Sequence, residues 1–141
     1  KEAGINVALG TDGCCSSNNL DMTEAMKQAS LLQKAWRFDP AIVPAREALD
    51  WATLNGAKAT ALDAGVLQVG KLADIALIDL KHYTMVPLHN AVSNLVYSAH
   101  GDAVKHLICD GKLLMRDRQV EFEDEILKEA SKAALKLYPK K

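Results

Sequence analysis

Residues 5–13 read Ile5-Asn6-Val7-Ala8-Leu9-Gly10-Thr11-Asp12-Gly13, an apolar strand that ends on one carboxylate in a glycine-flanked turn. A buried parallel strand needs hydrogen-bonding neighbours on both sides, yet only Lys1 to Gly4 stand before this one. The expectation is therefore the back end of a larger protein. Strand 5–9 would pair with a missing sheet or a second copy, or fray, and any chemistry would be shared with residues outside the chain.

The 141 residues suffice for a modest core, and with 5% aromatic residues aliphatic packing must dominate it. Seventeen basic residues against eighteen acidic ones leave a net charge of −1, so nothing points to nucleic acid or an anionic membrane as a partner. No apolar run approaches the roughly 20 residues that span a bilayer, and no signal-peptide pattern is present. Cys14, Cys15 and Cys109 are odd in number and lack zinc-site spacing, which favours a reducing, cytoplasmic setting. Cys14 and Cys15 are expected to be small, semi-buried fillers.

Helical spacing of Met22, Ala25, Met26, Ala29, Leu32 and Trp36 predicts an amphipathic helix from about Leu20 to Trp36. Asp39-Pro40 breaks it. Pro44 is placed to open a second helix carrying Ala45, Ala48, Leu49 and Ala52, which Asn55-Gly56 ends or interrupts. From Gly65 the pattern changes to a glycine-bounded extended segment, a buried strand Ile75–Ile78 and a short helix within 87–98. Asp110-Gly111 is a two-residue hairpin signal between strands 104–109 and 112–115. A turn near Asp117-Arg118 and a terminal helix bearing Ile126, Leu127, Ala130, Ala134 and Leu137 follow. Its acidic start and lysine-rich end suit the helix dipole. The chain thus divides near Asp63 into an α/β part, residues 1–63, and a part of short strands with a terminal helix, residues 64–141.

Asp12 is the first candidate for chemistry, because α/β folds place functional groups at the carboxyl ends of strands. An Asx-type turn or helix cap is the alternative for the same residue. His82, His89, His100 and His106 show no His-x-His or His-x-x-x-His pair, so each is expected in a loop or at an element end with a structural or solvent role. Neither a nucleophile elbow nor a phosphate-binding glycine loop is present.

Gly4 to Gly13, followed by Ser17-Asn18-Asn19-Leu20-Asp21-Met22 and Leu31-Leu32-Gln33-Lys34, resembles the last barrel strand and helix of the amidohydrolase superfamily. Ala52-Thr53-Leu54-Asn55-Gly56-Ala57-Lys58-Ala59, Gly65 to Asp74, Val92 to Tyr97 and Val104 to Lys112 extend the likeness over essentially the whole chain. The nearest branch is the 5-methylthioadenosine/S-adenosylhomocysteine deaminases, with triazine chlorohydrolases and guanine deaminases as cousins.

The resemblance implies the C-terminal portion of a (β/α)8 barrel plus the closing part of a small composite β-sandwich. It implies that Asp12 is at once catalytic residue, metal ligand and substrate contact, accepting a proton as water attacks an aminated ring. It further implies a divalent metal, zinc with iron as the alternative, a small heterocyclic amine substrate, and a homo-oligomer. The family's metal histidines, general-acid glutamate and substrate-binding arginine have no counterparts in the chain. The chain alone is thus expected to hold no metal and to be inactive. Within the enzyme class the alternative is a chlorohydrolase or guanine deaminase; outside it, a non-catalytic folding or assembly module. Two departures stand out: Cys14-Cys15 where relatives carry small residues such as Ala, and Arg118 where a turn glycine is usual, which should weaken that turn.

Overall fold

The computed structural model describes residues 3–138. Helices α1 (Cys14–Ser17), α2 (Met22–Arg37), α3 (Ala45–Ala52) and α4 (Leu54–Ala59) come first, then strand β1 (Ile75–Ile78) and helix α5 (Ala91–Tyr97). Strands β2 (Val104–Cys109), β3 (Lys112–Arg116) and β4 (Gln119–Val120) and helix α6 (Glu123–Leu137) complete the chain. The four strands form one antiparallel sheet in the order β1-β2-β3-β4. This is a mixed α/β arrangement, and a closed barrel is not among the described residues.

Local chemistry accounts for several element ends. The Asp21 carboxylate accepts the Thr23 and Glu24 amides at the start of α2, and Asn90 Oδ1 accepts the Ser93 amide at 2.9 Å to start α5. The Asp110-Gly111 hairpin forms as expected, with φ of 47° and 74°, values that suit these two residue types. Asp117 and Arg118 make a second such turn at φ 48° and 64°. There the arginine guanidinium crosses to the Asp79 carboxylate (3.0 Å) and the Asp102 carbonyl (2.7 Å), so a residue awkward for the backbone gains two side-chain bonds.

Two small clusters make the core. Met26, Val43, Ala45, Ala48 and Val96 join α2, α3 and α5, while Met85, Ala99 and Ala103 lie beneath Ile78. Leu95 packs against both and connects the helices to the sheet. Ser30, fully buried in α2, donates to the Val43 carbonyl at 2.6 Å and meets the Tyr97 hydroxyl at 3.0 Å. That hydroxyl draws three segments together.

Several expectations need correction. Residues 5–13 form no strand of the sheet, and Ile5 is 72% exposed, because no neighbouring strand is present among the described residues to pair with them. The apolar face of α2 is covered only in part: Met26 is buried, whereas Leu32 and Trp36 are exposed. β1 is an edge strand with a bulge between Leu77 and Ile78, so Ala76 and Leu77 face solvent rather than a core. The helix break falls at Thr53 (φ −123°, ψ −87°), leaving Asn55-Gly56 inside α4. Cys14 and Cys15 are exposed, because the short α1 turn that carries them buries none of its residues. His106 lies within β2 rather than at an element end.

Candidate functional site

Asp12 leaves the extended segment in a left-handed conformation, φ 59°, which aspartate tolerates better than most residues. The segment reaching it is tied to the helices by the Leu9 amide, which donates to the Trp51 carbonyl at 3.1 Å. Asn6 and Asn55 exchange side-chain bonds with that stretch: Asn6 donates to the Asn55 carbonyl (3.0 Å) and Asn55 to the Val7 carbonyl (2.8 Å). The carboxylate itself is exposed.

The Ser16 hydroxyl donates to Asp12 Oδ2 at 2.6 Å and the Gly13 amide to Oδ1 at 2.7 Å. The serine bond first, then the amide, hold the Asp12 carboxyl below its ordinary pKa of 3.8, against a smaller opposing effect of burial. The group is thus an oriented anion at neutral pH. Each oxygen accepts one of these bonds and keeps acceptor capacity for a cation, a water or a ligand. Beside it, Leu9, Gly10, Thr11, Asn19, Asp21 and Glu24 help line a hollow of about 290 Å³.

No group of three His, Cys, Asp or Glu side chains suited to a metal occurs among the described residues. A catalytic zinc takes about three protein ligands, so these residues do not by themselves make such a site. Asp12 is an oxygen donor that fits one position of it. Two histidines face aspartates in other parts of the fold. His82 Nε2 faces Asp102 at 3.7 Å and His106 Nε2 faces Asp117 at 3.7 Å, while His106 Nδ1 accepts the Asp117 amide at 3.2 Å. Sequence reasoning singled out Asp12 but passed over Ser16 and Asp21. A serine four residues after the aspartate and an Asp-x-Thr-Glu helix start were the available signals.

The profile of the amidohydrolase family matches residues 1–114. The chain belongs to this family. Among its relatives, this amidohydrolase is 52% identical over 134 residues to the 5'-deoxyadenosine deaminase of Methanospirillum hungatei, covering 95% of the chain and 30% of the relative. It is 50% identical over 118 residues to the 5-methylthioadenosine/S-adenosylhomocysteine deaminase of Thermococcus onnurineus, covering 84% of the chain and 28% of that protein. Among solved structures, an adenosine deaminase from Xanthomonas campestris with bound zinc superposes at a TM-score of 0.88 and 34% identity, over 94% of the chain and 31% of the other. A zinc complex of atrazine chlorohydrolase from Arthrobacter aurescens gives 0.76 and 28%, over 95% and 30%. The amidohydrolase chain thus spans about 30% of the length of the relatives it matches, and no helix among the described residues is long and apolar enough to cross a membrane.

Proposed function

We propose that the full-length protein hydrolytically deaminates adenine nucleosides of the 5'-deoxyadenosine or 5-methylthioadenosine/S-adenosylhomocysteine type, and that Asp12 serves that reaction directly. One observation carries this reading: in a chain 52% identical to a 5'-deoxyadenosine deaminase, an exposed carboxylate is held ionised and oriented at the end of an extended segment. Within the family architecture, residues 1–63 would close the (β/α)8 barrel and residues 64–141 would complete the small β-sandwich. The three free thiols agree with a reducing, cytoplasmic setting.

In this reading Asp12 offers one carboxylate oxygen as a ligand to a divalent ion, zinc by the chemistry of the similar structures. Residues outside the chain would supply the remaining ligands. The ion, when bound, supplies the Lewis acidity that makes water a nucleophile at neutral pH. Asp12 accepts a proton from the attacking water as the new C–O bond forms at the ring carbon bearing the amino group. The C–N bond then breaks as the amino nitrogen takes that proton from Asp12 and leaves as ammonia. Ser16 and the Gly13 amide keep the carboxylate facing the reacting water. The higher identity to the deaminases favours amine over chloride as the leaving group.

The test is turnover by the purified full-length protein on 5'-deoxyadenosine, 5-methylthioadenosine, S-adenosylhomocysteine, guanine and atrazine, followed by ammonia or chloride release. Ammonia from the adenine nucleosides is the expected result. Preference for guanine or atrazine by a factor of ten would overturn the substrate assignment.

A further inference from the structure

The segment carrying Asp12 is suspended between two ties. Among the described residues, hydrogen bonds made by positions 10–20 run among themselves, to Asp21 or to Glu24. The entry tie is the Leu9–Trp51 bond with its flanking asparagine exchange. The exit tie is Asp21.

Asp21 divides its two oxygens between two tasks. Oδ1 accepts the Thr23 amide (2.8 Å), the Thr23 hydroxyl (2.6 Å) and the Glu24 amide (3.3 Å), capping α2. Oδ2 accepts the Gly101 amide at 3.0 Å, 80 residues along the chain. Gly101 opens the short 3₁₀ turn Gly101–Ala103, whose Ala103 is fully buried and whose Asp102 carbonyl takes the Arg118 guanidinium. The exit of the loop is thereby fastened to the sheet. Polar contacts also run from Asp21 back towards Asp12: the Asp21 amide donates to Asn19 Oδ1 (3.2 Å), and the Ser17 hydroxyl to the Asn19 carbonyl (2.9 Å). Burial works against the Asp21 charge, but bonds from the Thr23 hydroxyl and from the Gly101, Glu24 and Thr23 amides outweigh it and hold the pKa below 3.8.

We infer that Asp21 is a positioning residue, which sets where Asp12 stands by clamping the loop exit to the Gly101 amide, and that its loss lowers turnover rather than substrate affinity. The inference rests on the reading of Asp12 as the reacting carboxylate. The clamp requires a carboxylate. Asparagine caps helices as well as aspartate does, but its amide offers one acceptor and one donor group. Whichever way an asparagine turned at this position, an N–H would face an N–H.

The experiment compares wild type, Asp21→Asn, Gly101→Pro and Asp12→Asn in the full-length, metal-loaded protein, with 5'-deoxyadenosine as substrate. Gly101→Pro removes the donor and places a ring carbon where the N–H stood, which drives the Asp21 carboxylate off Gly101, at the first position of a turn after extended His100 (φ −127°, ψ 173°), where proline is tolerated. Expected are a fall in kcat of at least about tenfold in both clamp variants with KM within about twofold, of the size that misplacement of a reacting group brings. Faster amide exchange in the peptide holding Gly101 is expected in Asp21→Asn. If kcat stays at the wild-type level in either folded clamp variant while Asp12→Asn is inactive, the clamp is overturned and Asp12 keeps its role. A loss carried wholly by KM also overturns it. Wild-type turnover in Asp12→Asn would overturn both readings.

Discussion

Removing the Ser30 hydroxyl should cost more than its size suggests. Ser30 is fully buried, and its oxygen lies 2.6 Å from the Val43 carbonyl and 3.0 Å from the Tyr97 hydroxyl. Val43 sits at φ 44°, an outlier for a β-branched residue, and such strain costs about 1–3 kcal/mol and persists only when its surroundings over-determine it. Here Ser30 grips the Val43 carbonyl, and the Lys34 ammonium takes the carbonyls of Pro40 (2.8 Å) and Ile42 (2.6 Å). Ser30→Ala leaves the buried Val43 acceptor without that partner, at about 1–3 kcal/mol, and removes the Tyr97 bond, worth about 1 kcal/mol net. The sum is about 2–4 kcal/mol. Tyr97→Phe, which leaves the Val43 bond in place, should cost about 1 kcal/mol. Urea denaturation of the purified protein, with the double variant completing a cycle, reads both values and their coupling. A Ser30→Ala variant within about 0.5 kcal/mol of wild type, the range of ordinary surface substitutions, would refute the claim that this hydroxyl holds the junction of α2, α5 and the Val43 loop.

Gly65→Ala should destabilise by about 1–3 kcal/mol or more in the same assay. The glycine holds φ 83°, and a Cβ there would sit 2.8 Å from the Leu54 Cα and 2.9 Å from the Thr53 carbonyl oxygen, both backbone atoms. Arg118→Gln should lower the urea midpoint at neutral pH, with an effect that fades in acid. The Arg118 guanidinium, with the Lys81 amide, holds the Asp79 pKa below 3.8. A carboxyl lowered on folding contributes stability above its unfolded value and loses it as pH falls through the lower folded value. The wild-type advantage should therefore be constant near neutrality and shrink only below about pH 4; an advantage that vanished between pH 6 and 8 would contradict the pairing.

Elements whose determinants lie within a few residues were legible in the sequence. Asp110-Gly111 demanded a hairpin because few other residue types accept its backbone angles, and the 3.6-residue spacing from Met22 marked α2. Burial was less legible, because it depends on what lies opposite. Leu32 and Trp36 continue the apolar face of α2 yet stay exposed, and Leu77 sits on an edge strand interrupted by a bulge. Asp12 stood out by its position after an apolar segment. Its Ser16 partner sits one turn away and could have been weighed. The Asp21–Gly101 bond joins positions 80 residues apart, and no local pattern announces it. The family resemblance read from Gly4 to Lys112 agrees with the family match over residues 1–114.

The most direct test of Asp12 is to measure turnover and metal content together in the full-length protein and its Asp12→Asn variant. Wild type should carry about one tightly held divalent ion per chain and release ammonia from 5'-deoxyadenosine. In the proposed role Asp12→Asn removes an anionic ligand and a proton acceptor at once, so kcat should fall at least about a thousandfold and the ion should be lost more readily to a chelator. A variant with near-wild-type kcat and unchanged metal retention would contradict the assignment.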